Sequence, residues 1–147
     1  MNKDICVVKS VDDKKRIVAR TKELAGGMYC WYVYSMEKDG GPSTTYEEGG
    51  IGSHWGCFEE IVKRFNDDDA DWDAKDIRKD VEVGNNVFHL SIRNINVQGG
   101  LYCWFIEKFS DNREEKDFDI VAKGIGGFLE CYGNALKALD EETEKCR

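Results

Sequence analysis

Polar and apolar residues alternate with a period of two over most of this chain, and in two places the period changes to that of a helix. The C-terminal half shows it best. Asp80-Val81-Glu82-Val83 alternates, Gly84-Asn85-Asn86 supplies a turn, and Val87 to Arg93 reads as a second strand. Leu101 to Phe109 is a third strand, Ser110-Asp111-Asn112-Arg113 turns the chain, and Asp117 to Val121 makes a short fourth strand. Gly124-Ile125-Gly126-Gly127 then breaks the alternation. Beyond it Phe128, Leu129, Tyr132, Ala135, Leu136 and Leu139 fall on one helical stripe.

The N-terminal half follows the same plan. Ile5 to Lys9 and Arg16 to Thr21 flank a charged turn at Asp12-Asp13-Lys14, and Tyr29 to Met36 is a strong strand. Lys38 to Ser43 reads as a turn. Ser53 is placed to cap a helix that carries Cys57, Phe58, Ile61, Val62 and Phe65 on one side. The halves also share residues. Gly26-Gly27-Met28-Tyr29-Cys30-Trp31 returns as Gly99-Gly100-Leu101-Tyr102-Cys103-Trp104, and Arg20 aligns with Arg93 at the same offset. Lys3-Asp4-Ile5 returns as Lys75-Asp76-Ile77, Gly50-Ile51-Gly52 as Gly124-Ile125-Gly126, and Cys57-Phe58 as Cys131-Tyr132. The pattern predicts an α+β fold by tandem duplication of a ββββα unit. There would be two antiparallel sheets, each with one C-terminal helix, related by a pseudo-two-fold. The expected boundaries are 1–66 for the first repeat, 67–74 for a solvated acidic linker and 75–147 for the second repeat, in one compact unit, a pseudo-dimer within one chain.

Strand three is apolar on both faces in each half. Tyr29, Trp31 and Val33 oppose Cys30, Tyr32, Tyr34 and Met36, while Tyr102, Trp104 and Ile106 oppose Cys103, Phe105 and Phe109. A strand buried on one side alternates with polar residues. One face therefore covers the helix, and the second covers either the sister repeat or a ligand. Beside it, Arg20 and Arg93 suit either a structural salt bridge or a grip on phosphate. The glycines before each helix, Gly50 and Gly52 with Gly124 and Gly126, suit a tight strand-to-helix turn or an anion site on free backbone N–H groups.

Two ββββα copies in one chain resemble the PUR-repeat domains and the whirly-type single-stranded nucleic-acid binders. The residues bearing that resemblance are Trp31, Trp104, Arg20 and Arg93. It implies curved sheets backed by helices, with the two repeats intertwined. It also implies a nucleic-acid or nucleotide ligand held by sheet aromatics and paired arginines.

Charge pulls the other way. The net charge is −8, and the acids concentrate at Asp67 to Asp73, Glu47-Glu48, Glu59-Glu60 and Asp140-Glu141-Glu142. Such a surface repels phosphate backbones and steers a basic partner. Tyr46, Trp55 and Trp72 lie in or beside these acidic stretches and have no aromatic counterpart in the second half. With Asp69, Asp71 and Asp73 they form the expected partner-binding set.

Specific chemistry is sparse. His54 and Cys57 have i, i+3 spacing, but Phe128 stands where a second histidine would be, so no metal is expected. Asp69-Ala70-Asp71-Trp72-Asp73 opens like a calcium loop, but Ala74 and Asp80 stand where the loop needs glycine and glutamate. The two histidines, His54 and His89, lie in no catalytic motif. No cofactor and no turnover are expected. No apolar N-terminal segment or membrane-length run is present, so six reduced cysteines in the cytoplasm are expected. The function expected from these features is that of an acidic intracellular binding protein, an inhibitor or regulator of a protein with a basic surface. Small immunity proteins and phage anti-defence proteins look similar. The runner-up is a single-stranded nucleic-acid or nucleotide binder.

Overall fold

The computed structural model describes residues 4–37, 44–67, 70–74, 76–96, 100–110 and 119–147. The fold is α+β, with two antiparallel sheets and two helices, each helix packed on one sheet. The chain divides into two compact units, Met1–Lys75 and Asp76–Arg147.

The first unit contains β1 (Ile5–Ser10), β2 (Lys15–Glu23), β3 (Tyr29–Glu37), β4 (Thr44–Gly52), α1 (His54–Arg64) and β5 (Asp71–Ala74), with sheet order β4-β3-β2-β1-β5. Alternation dictates its layers. Val7, Ala19 and Val33 stand opposite one another across β1, β2 and β3, and all are buried. They form the floor on which α1 lays Cys57, Phe58, Ile61 and Val62. Ser53 caps the helix by accepting a hydrogen bond from Gly56 N at 3.0 Å, which satisfies one of the free donors of the first turn.

The second unit contains β6 (Asp76–Val83), β7 (Asn86–Asn96), β8 (Leu101–Ser110), β9 (Asp119–Gly126) and α2 (Phe128–Glu144), in sheet order β6-β7-β8-β9. Ile77, Ile92 and Trp104 share one row, Leu90 and Ile106 the next, and all are buried on the side of α2. The units repeat two contacts. Cys57 Sγ donates to Tyr29 O and Cys131 Sγ to Tyr102 O, each at 3.4 Å. The Tyr29 ring lies 4.7 Å from that of His54, and the Tyr102 ring 4.9 Å from that of Phe128.

Three expectations change. The stretch 67–74 is not wholly linker: Asp71–Ala74 is β5, paired antiparallel with β1 through Val7 opposite Trp72. Its acids did not prevent this because they alternate, Asp71 and Asp73 outward, Trp72 and Ala74 buried. The glycines before the helices are strand residues, not turns. Gly50 lies opposite Trp31 and Gly124 opposite Trp104. A Cβ on Gly50 would approach Trp31 Nε1 to 2.8 Å, and one on Gly124 would overlap Trp104 Nε1, so these glycines make room for indole rings. Finally, Arg20 and Arg93 are not equivalent. Trp31 faces Thr21 whereas Trp104 faces Ile92, so β7 is displaced by two residues from the alignment, and Arg93 faces Cys103 where Arg20 faces Tyr32. The turns expected at 38–43 and 111–113 lie outside the described residues, as do Asp117 and Phe118.

Candidate functional site

The sheet face of the first unit turned away from α1 gathers aromatic, basic and acidic side chains that are exposed or half-exposed. Strand register fixes it in rows. Asp73, Cys6, Arg20, Tyr32 and Gly49 form one row from β5 to β4, and Asp71, Val8, Val18, Tyr34 and Tyr46 form the next. A third row holds Ser10, Arg16, Met36 and Thr44. At about 4.8 Å per strand, a row of five spans roughly 19 Å.

At the β4 end, Arg20, Tyr32, Tyr34, Met36, Thr44 and Tyr46 line an open trough of about 590 Å³. The Tyr32 and Tyr34 rings lie 6.0 Å apart at 21°, and Arg20 Nε donates to Tyr34 Oη at 3.1 Å. That bond fixes one edge of the guanidinium and holds it beside the rings. Tyr46 is 66% exposed. Its hydroxyl lies 3.2 Å from where a Gly49 Cβ would stand, while that Cβ would come within 2.6 Å of Trp31 O. Gly49 therefore has to remain bare, and the end of the row beside Tyr32 stays free of a side chain.

Of the partner-binding set read from the sequence, Tyr46, Asp71 and Asp73 come together on this face, all exposed. Trp55 and Trp72 do not. Trp55 is 8% exposed and packs edge-on against Phe58 at 5.0 Å, and Trp72 is 9% exposed with its ring 6.0 Å from that of Phe58. Both belong to the core beneath α1 and cannot anchor a partner. Asp69 lies outside the described residues.

The nucleic-acid set is dispersed as well. Trp31 and Trp104 are each 8% exposed and face the helix side, where no base can stack on them. Arg64 Cζ covers Trp31 at 4.6 Å. Arg93 lies over Phe105 at 5.3 Å and within 3.5 Å of Asp76 Oδ1, the structural ion pair rather than a phosphate grip. Gly50, Gly52, Gly124 and Gly126 lie within strands. Only Arg20 of that set borders the trough. The sequence signal for Tyr32, Tyr34 and Met36 was the second apolar face of strand three, whose occupant alternation could not name.

Cys6 is the thiol in the first row of this face, and burial raises its pKa against the opposing pull of Arg20. All six cysteines are unpaired. Burial raises the pKa of Cys57 and pushes that of Cys131 to about 11, so both are neutral core donors. Among the described residues no three His, Cys, Asp or Glu side chains gather into a metal-binding group, and no helix is long and apolar enough to cross a membrane. Comparison with protein-family models, curated proteins and solved structures finds no match to this chain.

Proposed function

We propose that this protein acts by binding, without turnover, and that the open sheet face of the first unit holds a protein partner, as an inhibitor or regulator would. The observation that carries the reading is the gathering of Tyr32, Tyr34, Met36, Tyr46 and Arg20 around one trough, with Asp71 and Asp73 on the same face. Tyrosine, methionine and arginine are the residue types enriched at the centres of protein interfaces, and tyrosine and arginine dominate their hot spots. A face roughly 19 Å across is compatible with a standard interface of about 800 Å² per partner. The net charge of −8 and the exposed acids at one margin favour a partner with a basic surface. The six unpaired cysteines support a reducing, cytoplasmic setting.

Descent of both units from one ββββα ancestor is part of the proposal. The shared thiol-to-carbonyl bonds and the Gly–Trp pairs support it. The acids at Asp71 and Asp73 then belong to the one unit that gained a fifth strand.

A second reading, a nucleotide or short single-stranded nucleic acid in the same trough, is favoured by Arg20 beside two near-parallel tyrosine rings. Affinity capture from the source cell with wild type and with Tyr34→Ala/Tyr46→Ala separates the readings. The first requires a protein retained by wild type and lost by the variant. Saturable binding of nucleotide or single-stranded DNA, with no protein retained, establishes the second.

A further inference from the structure

Among the described residues, strand β4 is the outer strand of the first sheet, bonded to β3 alone, and residues 44–49 are exposed. It is nine residues long and contains no lysine or proline, two residues that commonly blunt a sheet edge. Cavities reach it on both faces of the sheet. On the open face, Thr44 and Tyr46 border the tyrosine trough. On the helix side, Glu47 and Glu48 border a pocket of about 360 Å³ that includes Ile17, Val33, Phe65 and Lys9. The register shift between Val33 and Tyr34 produces this arrangement, since Tyr34 faces Tyr46 while Val33 faces Glu48, leaving Glu47 as the extra residue of a bulge.

Resting on the proposed protein-binding function, we infer that the partner contributes an extended segment that pairs with the free edge of β4 as a sixth strand. A strand laid there sends alternate side chains to opposite faces, so one set enters the tyrosine trough and the other the helix-side pocket. Chemistry fixes both sets. The trough takes aromatic or aliphatic side chains. The helix-side pocket takes a side chain with an apolar stem and a cationic end, lysine or arginine, because its apolar residues lie beside Glu47 and Glu48. Arg64 and Lys9 also line this pocket, but Arg64 is engaged by Glu48 and Lys9 by Asp67, which leaves Glu47 as the main attraction. The recognised segment therefore alternates apolar and basic residues. Main-chain bonds supply affinity and the two cavities supply the sequence preference.

The probe is a displayed library of random ten-residue linear peptides, selected on the full-length protein. Enriched sequences should alternate apolar with Lys or Arg. For the tightest peptide made synthetically, N-methylation of every second amide should weaken binding at least tenfold in one frame and leave it within about twofold in the other. Binding should slow amide exchange within 44–52, and Glu47→Lys should weaken it about tenfold. No enrichment, enrichment without alternation, or equal response to both N-methylation frames overturns strand addition. A captured protein that depends on Tyr34 and Tyr46 but leaves exchange at 44–52 unchanged overturns it too, while the proposed function stands. Peptide binding indifferent to Tyr32→Ala and Tyr34→Ala removes the proposed binding face itself.

Discussion

The Gly124→Ala substitution tests the packing logic of the fold most sharply. Alanine normally stabilises a strand interior relative to glycine by about 0.5–1 kcal/mol, because glycine loses more backbone freedom on folding. At Gly124 the new methyl would overlap Trp104 Nε1 and stand 2.7 Å from Cε2 and 3.0 Å from Cζ2, all atoms of one rigid ring. Trp104 is buried against the helix side and cannot swing away without emptying the core. Overpacking of this kind costs about 1–3 kcal/mol, and three ring atoms at such distances put Gly124 at the upper end. The net loss should be about 2–2.5 kcal/mol. Gly50→Ala should lose less, since its methyl meets Trp31 at 2.8, 3.3 and 3.5 Å. Gly52→Ala should gain about 0.5–1 kcal/mol, because nothing lies within 4 Å of its would-be Cβ. Urea unfolding of the full chain measures all three. A double-mutant cycle with Trp104→Phe, which removes the clashing nitrogen, should show a coupling of about 1–3 kcal/mol in the direction of rescue. If Gly124→Ala is as stable as Gly52→Ala, or the cycle shows no coupling, the Gly–Trp pairing does not constrain the sheet.

Trp55→Ala and Trp72→Ala should each cost about 3–5 kcal/mol in urea unfolding, the loss expected of buried large aromatics, whereas Tyr46→Ala should stay within about 0.5 kcal/mol of wild type. Native protein should show slow labelling of Cys57 and Cys131 by a thiol reagent at pH 8, and six thiols should react once it is denatured. Cys131 has a folded pKa raised from 9.0 to about 11, so its stabilising contribution is full below pH 9 and lost as pH rises through 11. That loss, up to about 3 kcal/mol, should be absent from Cys131→Ala when stability is compared at pH 8.5 and 11.

Much of this architecture was legible in the alternation of the sequence. Strands β1 to β3, β6 to β8 and both helices fall where the change from period two to period three and a half places them, because burial on one face is what the pattern encodes. The failures share one cause, local composition read without its partner strand. The glycines of β4 and β9 look like breakers until the indole of the neighbouring strand is placed against them. The run Asp67 to Asp73 looks like linker, although Asp71-Trp72-Asp73-Ala74 alternates as an edge strand does. Trp55 stands three residues before Phe58 and so belongs to the helical stripe, a signal present but masked by the adjacent acids. The equivalence of Arg20 and Arg93 failed because the chain from Ile92 to its facing Trp104 is two residues longer than that from Thr21 to its facing Trp31, and offset counting cannot see register. The proposed binding face was half legible: Tyr46, Asp71, Asp73 and Arg20 were each singled out, but only strand order shows that they share a surface.

The most direct test of that surface is a photo-crosslinking amino acid placed at position 46, with the same group at position 125 of the second unit as control, since Ile125 is likewise exposed on the outer strand of its sheet. Irradiated in the source cell, the chain carrying the crosslinker at 46 should yield one protein adduct that Arg20→Ala or Tyr34→Ala abolishes, and the chain carrying it at 125 should not yield that adduct. Adducts confined to position 125, or a nucleic-acid adduct at 46 with no protein, would contradict the assignment of this face to a protein partner.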